Sequence, residues 1–66
     1  MEISVNGERR SVPEGETVLT LLKALHLEPG RVAVELDREI VKQAAWAETV
    51  LRPGAQVEVV QFVGGG

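Results

Sequence analysis

The sequence predicts a small α+β domain in which one helix covers one face of a mixed β-sheet. Three observations support this fold class: short runs that alternate polar and apolar residues, one apolar stripe with helical spacing, and turn residues between these segments. The predicted order of elements is strand, strand, helix, strand, strand, strand. At 66 residues without cysteine, the chain lies near the lower size limit of independent domains, so packing alone must hold its core.

The first two strands are predicted to form a hairpin. Residues 2–5 alternate polar and apolar, as in a strand with one buried face. The following Asn6-Gly7 pair tolerates the positive φ angles of a type I′ turn. We therefore expect residues 8–12 to return antiparallel to the first strand, and Pro13 to end the second.

One helix is predicted after this hairpin. Four apolar residues recur at helical spacing and form one stripe: Val18, Leu21, Leu22 and Leu25. Thr17 precedes them and can cap the helix by accepting a hydrogen bond from a free backbone N–H. We expect the Pro29-Gly30 pair to end the helix.

The second half of the chain contains the remaining strands. Alternation predicts a third strand over residues 32–36 and a last strand over residues 56–63. Asp37-Arg38 is expected to turn the chain into a short fourth strand at residues 39–41.

A weaker pattern follows between residues 42 and 51. Its run of alanines indicates a helical turn laid on the core, and Trp46 is interpreted as a core side chain in preference to a binding platform. Residues 52–55 form a predicted turn before the last strand.

Composition excludes several classes of function. Seven Lys and Arg against ten Asp and Glu give a net charge of −3, which disfavours binding to nucleic acid. No segment approaches the roughly 20 apolar residues that span a bilayer, and the first residues do not resemble a signal peptide. We therefore expect a cytoplasmic protein without a nucleic-acid or membrane partner.

No catalytic or metal-binding constellation stands out. His26 lies at the predicted helix end and is interpreted as structural, since one histidine without clustered carboxylates makes a poor metal site. Ser4, Ser11 and Asp37 could be combined with it into a triad, but no serine occupies a nucleophile elbow. The sequence therefore predicts no catalytic residue and no bound metal.

The C-terminal glycines are the strongest functional signal. Gly64, Gly65 and Gly66 have no Cβ atoms, so we expect residues 64–66 to form a slender flexible tail after a domain of residues 1–63. Extended, this tail reaches about 10 Å and presents an open carboxylate to another protein. The alternative is a frayed end without function.

The last strand suggests a surface for that other protein. If Val57 and Val59 face the core, alternation places Val60 and Phe62 on the solvent face just before the tail. These two side chains are candidates for partner binding. An equally weighted alternative is a local bulge that turns Phe62 into the core.

Segments along the whole chain also form a familiar combination: the Asn6-Gly7 turn, residues 15–18 leading into a leucine helix, residues 32–41, Trp46, residues 53–59 and the terminal glycines. In this combination the chain resembles the ThiS family of sulfur carriers, ubiquitin-like proteins of thiamine biosynthesis related to MoaD. The resemblance implies a β-grasp fold with a mixed sheet of four or five strands. Its first and last strands would be parallel neighbours at the sheet centre.

The resemblance further implies a protein co-substrate that catalyses nothing by itself and binds no cofactor. A ThiF-type adenylyltransferase would use ATP and magnesium to convert the Gly66 carboxylate to an acyl adenylate. A persulfide sulfur from a desulfurase system would displace AMP and leave a thiocarboxylate. A ThiG-type thiazole synthase would then receive this sulfur from the carrier, which would be a monomer when free.

Three other functions are compatible with the same terminus. The chain could be the small subunit of a molybdopterin synthase, which also uses a terminal thiocarboxylate. It could be a ubiquitin-like modifier that forms an isopeptide bond through Gly66. It could also be a β-grasp interaction module with an inert tail.

Overall fold

The computed structural model describes residues 1–62, and within them one α-helix packs on a five-stranded mixed sheet. The elements are β1 (Glu2–Val5), β2 (Glu8–Ser11), α1 (Val18–Ala24), β3 (Val32–Leu36), β4 (Glu39–Val41) and β5 (Gln56–Gln61), with 3₁₀ turns at Pro29–Arg31 and Gln43–Ala45. The predicted α+β class and order of elements are confirmed. The predicted tail, residues 64–66, and the last residue of the predicted final strand lie outside the described residues.

The sheet has the strand order β2-β1-β5-β3-β4. Strand β5 is central: it pairs parallel with β1 on one edge and antiparallel with β3 on the other. The hairpins β1-β2 and β3-β4 complete the two sides. The parallel pairing of the first and last strands, expected from the resemblance, is therefore confirmed.

Both hairpins turn through two residues with positive φ. Asn6 and Gly7 have φ angles of 51° and 81°, as the predicted turn requires. Asp37 and Arg38 make the second turn with φ angles of 50° and 73° and without glycine. The predicted strand over residues 8–12 is one residue too long, because β2 ends at Ser11 and the next residue packs into the core.

The start of α1 agrees with the sequence prediction. Thr17 is the N-cap, and its Oγ1 accepts from the Thr20 N–H at 3.1 Å while the Thr17 N–H donates to Thr20 Oγ1 at 2.8 Å. This reciprocal pair satisfies two backbone N–H groups at the helix start. It anchors the first turn of a helix that has only seven residues.

The end of α1 differs from the prediction. The helix ends at Ala24, so the expectation that Pro29-Gly30 ends it is wrong. His26 has a φ of 58°, and the N–H groups of His26 and Leu27 donate to carbonyls of the last helical turn, both at 3.0 Å. This Schellman motif stops the helix before the proline, because the left-handed residue redirects the chain and lets Leu27 pack against the core.

The hydrophobic core lies between α1 and one face of the sheet. Of the predicted stripe, Val18, Leu21 and Leu22 are at most 1% exposed, and Leu25 is half-buried at the C-cap. They pack with side chains of the sheet and its connections: Ile3, Val5, Val12, Val32, Val34, Trp46, Leu51, Ala55 and Val57. The one predicted helical stripe therefore supplies the centre of the core.

The connection after β4 is tied to the start of the helix. The interpretation of Trp46 as a core residue is confirmed: it is 2% exposed, and its Nε1 donates to the Val41 carbonyl at 2.8 Å. Backbone hydrogen bonds from Val18 to Thr49 and from Leu51 to Glu16 join this connection to the helix N-terminus. The predicted helical turn is a short 3₁₀ turn at Gln43–Ala45. In the part of the chain that the structure describes, no helix has both the length and the apolar character needed to cross a membrane.

Candidate functional site

The path of β5 determines where the described part of the chain ends. The strand runs through the sheet centre, and the Phe62 N–H donates to the Arg31 carbonyl at 2.8 Å, one residue beyond the strand end. The chain is therefore paired with its neighbour as far as the last described residue. Gly64, Gly65 and Gly66, the predicted tail and sulfur-carrying residue, lie outside the described residues and begin two positions further on.

Side chains alternate along β5 between the core and the solvent. Val57 is 1% exposed and Val59 is half-buried, whereas Val60 and Phe62 are 59% and 58% exposed. The structure thus places both predicted partner-binding side chains outward. The alternative in which a bulge buries Phe62 is wrong, because the ladder continues regularly through its backbone N–H.

A third exposed apolar side chain, missed in the sequence analysis, extends this surface. Ile40 on β4 is 78% exposed and lies opposite Glu35 of β3, which in turn lies opposite Glu58 of β5. Directly opposite residues of antiparallel strands project from the same face. We call Ile40, Val60 and Phe62 the apolar patch. Residues 39–41 carry no polar–apolar alternation that places Ile40 outward, so its face follows only from its pairing with Glu35.

Two carboxylates lie within this surface. Glu35 and Glu58 are cross-strand partners, and together with Ala33, Val34, Ile40 and Val60 they line a shallow depression of about 100 Å³. The ion pairs among residues 1–62 are Arg9–Glu2 at 3.7 Å and Arg31–Glu28 at 3.5 Å, so neither carboxylate is paired there. The surface therefore combines exposed apolar area with unneutralised negative charge, a combination that suits a partner with apolar and basic side chains.

His26 and Asp37, which were considered for catalysis, both lie in turns of the backbone. His26 is exposed beyond the helix end, in the Schellman turn. The Asp37 Oδ1 accepts a hydrogen bond from the Gln56 N–H at 2.9 Å and so secures the start of β5. Within residues 1–62, no three His, Asp or Glu side chains are grouped closely enough to hold a metal ion.

The five-stranded mixed sheet, with one helix across it and parallel first and last strands at its centre, defines a ubiquitin-like protein of β-grasp fold. The ThiS family model matches residues 3–66. A crystal structure of the thiamine biosynthesis protein ThiS from Geobacter metallireducens superposes with a TM-score of 0.86 at 36% identity, covering 100% of both chains. The chain belongs to the ThiS family.

Two further relatives differ from each other in length. The sulfur carrier protein ThiS of Escherichia coli is 29% identical over 66 residues, with 100% of both chains covered. A thiazole synthase of Magnetococcus marinus is 39% identical over 66 residues, but the chain spans only 20% of its length. A segment similar to the whole chain thus occurs both as a carrier-sized protein and within a much longer one.

Proposed function

We propose that this chain is a sulfur carrier of thiamine biosynthesis and that the Gly66 carboxylate is the group that carries the sulfur. The observation that carries the proposal is the continuity of the family match from residue 3 to residue 66, which includes the three glycines. The likeness to ThiS of two other organisms over their full length supports it. The chain is then a co-substrate of other enzymes, without catalytic residues of its own.

The chemistry follows from the poor reactivity of a carboxylate toward nucleophiles. A carboxylate oxygen of Gly66 attacks the α-phosphorus of ATP, pyrophosphate leaves, and an acyl adenylate forms. With hydrosulfide as the nucleophile, a C–S bond forms at the Gly66 carbonyl, the C–O bond to AMP breaks, and one proton is released. The product is a thiocarboxylate, whose sulfur is a nucleophile that a later enzyme can use.

Glycine at positions 64, 65 and 66 suits this chemistry. A side chain next to the reacting carbonyl would restrict both the approach of the sulfur nucleophile and the entry of the arm into a narrow channel. Fully extended, three residues reach about 10 Å, enough to separate the reacting carbon from the surface of the domain. We therefore propose that Gly64 and Gly65 serve as the arm and Gly66 as the reacting residue.

Three partner enzymes follow from this chemistry. A ThiF-type adenylyltransferase binds the ATP and magnesium. A desulfurase system supplies sulfur as a persulfide, and a thiol reductant attacks the inner sulfur of that persulfide, forming a disulfide and releasing hydrosulfide. A ThiG-type thiazole synthase accepts the sulfur from the carrier. The segment similar to this chain within a protein named thiazole synthase supports the last of these partners. Because one tail must visit several enzymes and its activation consumes ATP, we infer a cytoplasmic carrier that is monomeric when free.

The apolar patch is the proposed docking surface for these partners. Val60 and Phe62 lie four and two positions before Gly64, and Ile40 widens the patch across the neighbouring strand pair. A partner bound there holds the start of the arm at a defined place. Exposed apolar side chains of this kind contribute to binding affinity when a partner buries them.

Intact-mass analysis of the purified chain tests the function. Incubation with a ThiF-type enzyme, ATP, magnesium and sulfide should add the mass difference between sulfur and oxygen, and fragmentation should map it to Gly66. Omission of ATP should abolish the gain. No gain with an enzyme that activates its own carrier would overturn the proposal, and lysine-linked conjugates in place of a thiocarboxylate would identify a protein modifier.

A further inference from the structure

Strand β5 continues beyond the end of its parallel neighbour β1. The last backbone bond between them runs from the Asn6 N–H to the Val57 carbonyl at 2.8 Å, after which the chain turns away at Gly7. On this edge of β5 the next residue that needs partners is Val59, because alternate residues of a strand direct their backbone groups to the same side. The backbone of β1 ends too early to form a hydrogen bond with Val59.

The side chain of Asn6 takes the place of the missing backbone. Its Oδ1 accepts from the Val59 N–H at 2.7 Å, and its Nδ2 donates to the Val59 carbonyl at 3.1 Å. A carboxamide offers one acceptor and one donor side by side, as a peptide group does. Aspartate could only accept, and glycine would leave both Val59 groups without this partner.

The opposite edge of β5 is held differently. There, Gln61 and Val60 pair with the backbone of β3, and Phe62 donates to Arg31. The end of β5 is therefore secured by several backbone contacts on the β3 edge and by one side chain on the β1 edge. That side chain contacts the strand three residues before the end of the described chain and five residues before Gly64.

We propose that Asn6 is a positioning residue that sets the direction in which the C-terminal arm leaves the sheet; this inference rests on the proposed carrier function. Clamping Val59 on the β1 edge keeps the end of β5 from swinging about its β3 edge. The activating enzyme then binds a chain in which the end of β5, from which the arm starts, is already ordered. Binding therefore costs less conformational entropy. The clamp acts on Val59, seven positions before the reacting residue Gly66, so the effect appears in KM and leaves kcat almost unchanged.

A second turn provides a matched control. Asp37 is the first residue of the other positive-φ turn, with φ 50° against 51° for Asn6, and its Oδ1 also accepts from a backbone N–H of β5. That bond is made to Gln56, at the start of the strand and away from the arm. Asn6→Gly and Asp37→Gly both preserve the turn conformation and remove a side-chain contact to the same strand.

Two measurements on the full chain test the inference. First, amide hydrogen exchange followed by NMR should show faster exchange at Val59 in Asn6→Gly, partial protection in Asn6→Asp, and wild-type protection in Asp37→Gly. Second, thiocarboxylate formation by a ThiF-type enzyme should show KM raised about three- to tenfold in Asn6→Gly, with kcat within about twofold. Thermal melts of the variants identify any general loss of stability.

The results separate this inference from the proposed function. Wild-type KM in Asn6→Gly, or an equal rise in Asp37→Gly, would overturn the positioning role. Unchanged exchange at Val59 would overturn the clamp itself, and this measurement needs no partner enzyme. If the wild-type chain gains no sulfur, the carrier function and the role of Asn6 in it both fail, while exchange at Val59 still decides whether the clamp exists.

Discussion

Glu35 and Glu58 lie directly opposite each other on the antiparallel strands β3 and β5, and both side chains are exposed. Like charges in this position repel, since their Cβ atoms are about 5 Å apart in an antiparallel pair. The pair lies beside Ile40 and Val60 in the shallow depression of the sheet. A bound partner with a basic side chain would relieve the repulsion that the free domain carries.

Charge reversal at this pair should stabilise the domain. Glu58→Lys replaces a repulsive cross-strand contact with an attractive one, and we expect the free energy of unfolding to rise by about 0.2–1 kcal/mol. Urea unfolding at low salt measures the change. Glu48→Lys, which makes the same change of net charge in an exposed turn outside the sheet, is the control. Equal effects of both substitutions would show that net charge, and not the cross-strand pair, is responsible.

The apolar patch should matter for binding and little for folding. Phe62→Ala and Val60→Ala remove exposed side chains, so the free energy of unfolding should change by less than about 0.5 kcal/mol. Binding to a ThiF-type enzyme or a thiazole synthase should weaken about tenfold, as for a truncated interface residue that contributes more than 1 kcal/mol. Val50→Ala removes a side chain of similar exposure, 54%, outside the patch. Wild-type affinity in both patch variants would argue against docking there.

Adding a single methyl group at Gly66 should slow the formation of the thiocarboxylate. We expect Gly66→Ala to lower the rate of thiocarboxylate formation about 10- to 100-fold, because a small displacement of a reacting carbon has costs of this size. Mass spectrometry over a time course measures the rate. Gly30→Ala is the control, since a Cβ at Gly30 meets no atom within 4 Å. Normal thiocarboxylate yield from Gly66→Ala would contradict its assignment as the reacting residue.

The centre of the core should depend strongly on Leu22. Its side chain is 0% exposed on the face of α1 that covers the sheet, and Leu22→Ala should lower the free energy of unfolding by about 2–5 kcal/mol. Leu25→Ala, at the half-buried C-cap, should cost less. Urea unfolding of both variants tests the difference. A loss at Leu25 as large as that at Leu22 would place the centre of the core elsewhere.

Some features of the candidate site were predictable from short stretches of sequence. The outward positions of Val60 and Phe62 follow from strand alternation, a property of neighbouring residues that needs no knowledge of the partner strands. The glycines at 64–66 are visible in composition alone. Ile40 could not be added in this way, because Glu39, Ile40 and Val41 do not alternate, and its place beside Val60 depends on strand order.

Local chemistry likewise determined most of the elements. Asn6-Gly7 specifies a turn with two positive φ angles, and Thr17 begins a helix because its side chain can cap a nearby backbone N–H. The apolar stripe of α1 shows which face of the helix is buried. Each of these predictions depends on interactions within a few residues along the chain, which the sequence states directly.

The tertiary structure decided what depends on distant residues. The helix stops at Ala24 and not at Pro29-Gly30, because Leu27 gains core contacts when His26 adopts a left-handed conformation. The parallel pairing of β1 with β5 was expected from family resemblance, and no periodicity within either strand encodes it.

The amide bridge from Asn6 to Val59 joins residues 53 positions apart. From the sequence, Asn6 was assigned only the role of a turn residue with positive φ. The second role of Asn6 exists only because folding brings the end of β5 beside the first hairpin. There β5 extends beyond the end of β1, and the backbone groups of Val59 need a hydrogen-bond partner. The sequence by itself thus determined the local elements and predicted the chemistry of the tail, whereas folding decided which side chain holds the end of β5.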